Sequence, residues 1–355
     1  MKLRRLIFSV FTLGLLVVSC NKDDDNKVTF VERTRAEVYL EDINEIRTFL
    51  QTHTFNIAEF LANSKYSDTS VSPVVNDEND SFVLKFTKIT DPLTETSLWD
   101  MQNPANVNDP TLKSKIIFDS VGQGYEFYYL VVREGLGANL HTLDNAVVRY
   151  NGTPINNATT GIEEGESFDG SPLPVSFPLT SLGDSAGVVQ GFRDGLIEFK
   201  TSVSFTEATN GEITYHNHGI GALFLPSGLG YFSQTLNTLT AYTPLIFKTD
   251  LINRVDTDYD LDNIPSHLED LNGDNNGFNE DTDLDNLNNF FDNDDDNDGI
   301  LTRDEDLEDT DLNFDSNGDG DPTNDKNGDG NPLNDDTDGD GIPNYLDADT
   351  TLERE

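Results

Sequence analysis

The chain has 355 residues and a formal net charge of −44, from 66 acidic against 22 Lys and Arg residues. That balance repels phosphate backbones and excludes a nucleic-acid partner, while making divalent cations natural ones. A single cysteine, Cys20, excludes a disulfide framework and a cysteine-based zinc site.

The N-terminus accounts for that cysteine. Lys2, Arg4 and Arg5 form a basic region, and Leu6 to Val18 is an apolar run too short to span a bilayer. Val17-Val18-Ser19-Cys20 resembles a bacterial lipobox in which residues 1–19 are removed and Cys20 is lipidated; the alternative is a secretory signal with an incidental cysteine. Asn21 to Asn26 resembles the Lys-plus-acidic tag of some surface-exposed lipoproteins, which places the protein outside the cytoplasm on an outer membrane.

Residues 20–123 read as a tether and an N-terminal region of small α/β character. Leu40, Ile43, Ile46, Phe49 and Leu50 recur at helical spacing and predict a helix over 36–52. Alternation of Phe82, Leu84 and Phe86 predicts a strand over 81–89, and Ile116-Ile117-Phe118 a short second one. The region is either a small subdomain or an extension packed onto the central domain, and nothing in it looks catalytic.

From 124 to 253 the pattern is that of an α+β domain. Strands are expected at Tyr125–Arg133, Ala146–Tyr150, Pro174–Leu179, Ala222–Leu225 and Leu245–Leu251, with a polar loop over 151–165 and an enlarged loop over 201–221. His216 and His218 lie in that second loop without a nearby acid and read as solvated. Val189, Phe192, Leu196 and Phe199 predict a helix with one apolar stripe. Gly191 and Gly195, each costing about 1 kcal/mol in a helix interior, imply a face that must come very close to a sheet.

Val188-Val189-Gln190-Gly191-Phe192-Arg193-Asp194-Gly195-Leu196 resembles the VIxGWxxGL segment of FKBP-type peptidyl-prolyl isomerases. Val147–Gly152, Phe168–Ser171, Pro174–Leu179, Leu225–Tyr231 and Pro244–Leu251 resemble that family's other landmarks, in the same order. The resemblance implies an antiparallel sheet curled over a short helix, and a pocket lined by Tyr150, Phe168, Val188, Val189, Phe192, Tyr231 and Phe247. Asp169 would be its buried carboxylate, and the Tyr231 hydroxyl and Val189 N–H would donate to the substrate carbonyl. Phe192 stands where the family has Trp, Val175 where it has Phe, and Phe232 where it has Gly. Prolyl isomerisation needs neither cofactor nor nucleophile. Its barrier of about 18–20 kcal/mol comes from amide resonance, and a dry pocket with one or two donors lowers it. Proline-containing segments of exported proteins are the partners so implied. The rival is a non-catalytic surface-binding or adhesion lipoprotein that keeps only the fold.

Residues 254–355 read as the acidic repeat region, and from Asp256 to the end there are about 35 acidic residues against Arg303, Lys326 and Arg354. A twelve-residue calcium-loop frame, with oxygens at positions 1, 3 and 5, a permissive sixth residue, a carbonyl at 7 and an acid at 12, fits three times. It fits Asp258, Asp260, Asp262, Ile264 and Glu269; Asp294, Asp296, Asp298, Ile300 and Glu305; and Asp336, Asp338, Asp340, Ile342 and Asp347. Weaker copies run from Asp281 to Asp292 and from Asp325 to Asp336. The array resembles thrombospondin type 3-like repeats, which implies structural Ca2+ and a tail held extended as a spacer or presented to a partner.

Overall fold

The computed structural model describes residues 32–62, 78–105, 109–158, 161–180, 187–236, 238–305, 332–336 and 340–348. Cys20, the tether, Asp338 and residues 325–331 of the frame starting at Asp325 lie outside them.

Helix α1, Arg35–Thr52, starts where the Thr34 hydroxyl accepts from the Glu37 N–H, and buries Val38, Ile43, Ile46, Phe49 and Leu50. Strand β1, His53–Phe55, and helix α2, Ile57–Leu61, follow. Only Phe86–Lys88, β2, of the strand expected over 81–89 pairs, with β1. Upstream, the Asn56 side chain bonds Val83 O (3.1 Å) and Lys85 N (3.0 Å), taking the backbone groups a strand partner would use.

The central sheet contains β3 (Thr111–Phe118), β4 (Gly124–Arg133), β5 (Asn145–Ala158), β6 (Gly161–Glu164) and β7 (Asp169–Pro178). Helix α3, Gln190–Leu196, and a hairpin of β8 (Ser204–Glu207) and β9 (Ile213–His216) precede β10 (Gly219–Leu225) and β11 (Leu245–Val255). The order is β3-β4-β10-β11-β5-β6, with β7 on β5, and every pairing is antiparallel. The sheet therefore takes in Thr111–Phe118, upstream of the 124 boundary drawn from the sequence. Two stretches expected as loops contain strands: β5 runs on to Ala158 and turns back through β6, and most of 201–221 is the β8–β9 hairpin and the start of β10. Polar residues hide these strands, because their pairing leaves much of both faces in water.

Alternation along the strands makes two cores. Tyr125, Phe127, Tyr129, Leu223, Leu225 and Phe247 pack with Phe192, Leu196 and Phe199 of the α3 segment. Tyr128, Leu130, Val132, Ala222, Phe224 and Ile246 face the other way, onto Ile46, Phe49 and Leu50 of α1. The N-terminal region is thus an extension covering the second face of the sheet. The α3 glycines make their close approach: a Cβ at Gly191 would lie 2.6 Å from Leu225 Cγ, and one at Gly195 2.7 Å from both Leu223 methyls.

His216 and His218 are buried, not solvated. The His216 Nδ1 lies 2.7 Å from Asp80 Oδ2, an acid contributed by the N-terminal extension 136 residues away. His218 sits between Arg133 and Arg149 (3.3 and 3.1 Å); burial, then those two cations, hold its pKa well below the usual value.

The acidic tail repeats a local structure. The sixth residue of each frame has positive φ: Asn263 (78°), Asn286 (79°), Gly299 (97°) and Gly341 (98°). A 3₁₀ turn follows at positions nine to eleven, at Ser266–Leu268, Asn289–Phe291, Thr302–Asp304 and Asn344–Leu346. A further frame, not seen in the sequence, starts at Asp270 with Asn275 at φ 66°. The described tail is fastened to the domain rather than held off it. Asp270 Oδ2 meets His141 Nε2 at 2.9 Å, Asn275 bonds Thr142 twice, and the Thr257 hydroxyl donates to Leu143 O.

Candidate functional site

Six aromatic rings converge where β5, β7, β11 and α3 meet. Tyr150 contacts Phe177, Phe192 and Phe247 at centroid separations of 5.4, 5.8 and 6.4 Å. Phe168 lies edge-on to Tyr231 (6.0 Å) and Phe247 (5.9 Å), and Phe192 to Phe247 (5.0 Å). Phe192 and Phe247, each 3% exposed, form the floor, with Val188 buried beside them. Tyr150, Phe168, Val175, Phe177, Val189 and Tyr231 are half-buried around it. All seven residues expected to line the pocket therefore belong to one apolar cluster. Phe177, which the sequence placed in a strand but not in the site, joins them through its contacts with Tyr150 and Phe192 (6.1 Å). Its place two residues beyond Val175, on the same face of β7, is the signal that could have found it.

Gly152 lets the rings close: a Cβ there would lie 2.8 Å from the Phe247 ring and 3.0 Å from that of Phe168. Val189 caps α3 with extended backbone, and its carbonyl accepts from Phe192 and Arg193. Its own N–H bonds no acceptor among the described residues.

Asp169 is exposed, contrary to the expectation of a buried carboxylate, because it opens β7, whose pairing among the described residues is with β5 alone. Its Oδ1 accepts from the Gly170 N–H at 2.8 Å. It still acts on the rings. Burial first, then hydrogen bonding and charge from Asp169, push the Tyr150 hydroxyl pKa up. Burial and the same charge raise that of Tyr231. Phe232, standing in the family's glycine position, adopts φ 46°. It is held there by the Tyr242 ring (5.1 Å) and by the Arg35 guanidinium (4.4 Å).

A cavity of about 570 Å3 adjoins this cluster. It shares Tyr150 and Phe168 with the ring cluster, and its other walls include Asp169, Arg149, Asp250, Thr249 and Phe82.

The second candidate site is the acidic tail. Buried oxygens without a hydrogen-bond partner include both of Asp260, both of Glu269, and one each of Asp262, Asp281, Asp294, Asp296, Asp298 and Glu305. Asp258, Asp260 and Asp262 offer ligand atoms within 4.8 Å of one another; so do Asp281, Asp283 and Asp285, and Asp294, Asp296 and Asp298. Burial and mutual repulsion push Glu269 up to about 11 and Glu305 up to about 9. Oxygen-only donors turned inward without partners fit a hard cation, with Ile264 and Ile300 at the carbonyl positions. Asp336, Asp340, Ile342 and Asp347 hold the same frame positions in the last copy, where the Asp340 carboxylate accepts from the Ile342 N–H at 2.9 Å.

No protein-family model and no curated protein matches the chain. Among solved structures, it is similar to a peptidyl-prolyl cis-trans isomerase from Pseudomonas syringae pv. tomato, at 22% identity and TM-score 0.26, over 36% of this chain and 74% of that one. FkpA from Escherichia coli is similar at 25% identity and TM-score 0.27, over 39% and 51%. The N-terminal domain of FKBP42 from Arabidopsis thaliana is similar at 12% identity and TM-score 0.28, over 43% and 98%. At such scores the likeness bears no weight of its own; the curled antiparallel sheet crossed by a short helix is the feature consistent with an FKBP-like fold.

Proposed function

We propose that the chain is an FKBP-type peptidyl-prolyl cis-trans isomerase that acts outside the cytoplasm on exported or surface proteins. The observation that carries the reading is the ring cluster of Tyr150, Phe168, Phe177, Phe192, Tyr231 and Phe247, with the Tyr231 hydroxyl and the Val189 N–H beside it. The rings offer the proline ring an apolar seat and strip water from the preceding carbonyl, which weakens amide resonance. The Tyr231 hydroxyl and the Val189 N–H then donate to the flanking carbonyls and hold the twisted amide. Asp169 acts through the phenols rather than on the substrate. The lipobox-like Val17–Cys20 supports attachment to an outer membrane, and the inward-turned carboxylates of the tail support structural Ca2+.

The test is a prolyl-peptide isomerisation assay over a panel of residues before proline. Activity blocked by a macrolide ligand of the FKBP family is the expected result. Tyr231→Phe should lower kcat/KM about 100- to 1000-fold, the effect of losing one aligned donor, with unfolding behaviour unchanged; an unchanged rate removes the hydroxyl from the mechanism. A non-catalytic binding module is the second reading, favoured by the near-complete burial of Phe192 and Phe247. A folded protein that turns over no peptide in the panel would select it.

A further inference from the structure

The linear frame assigns each acidic loop its own cation, but the buried carboxylates do not divide that way. Asp262 and Glu269, from the frame beginning at Asp258, meet Asp295, from the frame beginning at Asp294. The three offer oxygens within 4.8 Å of one another. They are 0%, 1% and 1% exposed. Asp262 Oδ2, both Glu269 oxygens and Asp295 Oδ1 are buried without a hydrogen-bond partner. Among the described residues, none of the three is in an ion pair with Lys, Arg or His.

Asp295 holds the second position of its frame, where the loop pattern assigns no ligand. Its Oδ2 accepts from the Thr302 hydroxyl at 2.9 Å, and Thr302 is itself buried. That bond fixes the carboxylate and leaves Oδ1 turned toward the other frame. Tyr345, from the last frame, is fully buried against Ile264, near enough for the charges of Asp295, Glu269 and Asp262 to act on its hydroxyl. Leaving several carboxylate oxygens unpaired out of water is costly unless a cation sits among them.

We propose that Asp295 is a ligand, supplied across frames, of the divalent cation held by Asp258, Asp260, Asp262 and Glu269, so that one hard oxygen-seeking cation such as Ca2+ ties two non-adjacent frames together. This rests on the calcium reading of the tail and adds to it a shared ligand and a coupling. Binding at the first frame and order at the fourth are then linked, and the linkage is reciprocal. The Asp281–Asp292 frame, whose Asp285 is exposed, lies outside the cluster and serves as the internal comparison.

The experiment is hydrogen exchange read by mass spectrometry on the full chain through a calcium titration, following the 258–269 and 294–305 segments separately. In the wild-type chain both segments gain protection with calcium. Asp295→Asn should raise the calcium midpoint of 258–269 about tenfold or more, the scale of losing a ligand or its support, while Asp283→Asn leaves it in place. The reciprocal variant Glu269→Gln should raise the midpoint of 294–305, and guards against a local defect at position 295. Protection in the wild type with unmoved midpoints in both variants overturns the bridge but keeps calcium in the loops. No calcium-dependent protection of either segment in the wild type overturns the calcium reading itself.

Discussion

Asp42 fastens the N-terminal extension to the loop that carries Tyr231, and its protonation should be visible as a pH dependence of stability. Its Oδ2 accepts from both the N–H (2.7 Å) and the hydroxyl (2.6 Å) of Ser227, at the start of the 3₁₀ turn Ser227–Leu229. Arg35, at the start of the same helix, donates to Gly228 O at 3.0 Å. Burial raises the Asp42 carboxyl to about 7, against the opposing effect of the two Ser227 bonds. A carboxyl raised on folding contributes stability that is complete below its unfolded pKa and lost as the pH climbs through the folded one. With an unfolded value near 3.9 and a folded value of about 7, the loss is about 4 kcal/mol between pH 3 and pH 8, of which about 3 kcal/mol falls above pH 5. Asp42→Asn keeps an oxygen for Ser227 and stays neutral throughout. Urea unfolding of both proteins at pH 5, 6, 7 and 8, in saturating calcium, isolates the group, since every other titration is common to the two. The variant should gain about 3 kcal/mol on the wild type between pH 5 and pH 8. A difference that stays flat within about 0.5 kcal/mol would refute a buried, proton-holding Asp42.

Two further perturbations test the packing that positions the ring cluster. In Gly195→Ala the new methyl lies 2.7 Å from the Leu223 methyls and 2.8 Å from the Phe127 ring, all fully buried. Overpacking of about 1–3 kcal/mol should exceed the roughly 1 kcal/mol gained in helix propensity, so thermal unfolding should show a net loss; a stabilised variant would mean that α3 does not lie tight on β10. Asp80→Ala removes the carboxylate that meets His216 (2.7 Å), Arg133 (3.0 Å) and the Asn217 N–H (2.8 Å). Loss of a buried partner of this kind costs about 3–5 kcal/mol, and a loss below about 1 kcal/mol in denaturant unfolding would mean that the extension is not anchored there.

The parts legible in the sequence were those whose chemistry is local. The α3 glycines announced a close contact because nothing else justifies two of them in one turn, and Leu223 and Leu225 of β10 are that contact. The ring residues stood in short ordered segments, and the sheet brings them together. The polar strands were missed because alternation fades where both faces meet water: Asn156 and Asn157 in β5 read as loop yet pair with Glu163 and Ile162. His216 and His218 were misread for a different reason. The acid that the first one needs is Asp80, and no spacing rule connects residues 136 positions apart.

The tail sharpens the same distinction. A twelve-residue frame encodes φ at the sixth position and the turn after it, and both recur in the described copies. The Asp270 frame escaped notice because Asn272 and Asn275 replace acid and glycine, though asparagine enters the left-handed region readily. A frame cannot say which loop folds against which. The frame assigns Asp295 no ligand position in its own loop, where it bonds Thr302, and its place beside Asp262 and Glu269 is set by the fold, so its side chain reads as one more solvated acid until the fold is known. Sparse Ile, Phe and Tyr residues decide that return, through Ile264 against Tyr345 and Phe290 against Tyr259. In a stretch so acidic, a few apolar contacts choose the partners, and the carboxylates they bring together are those for which a shared cation is proposed.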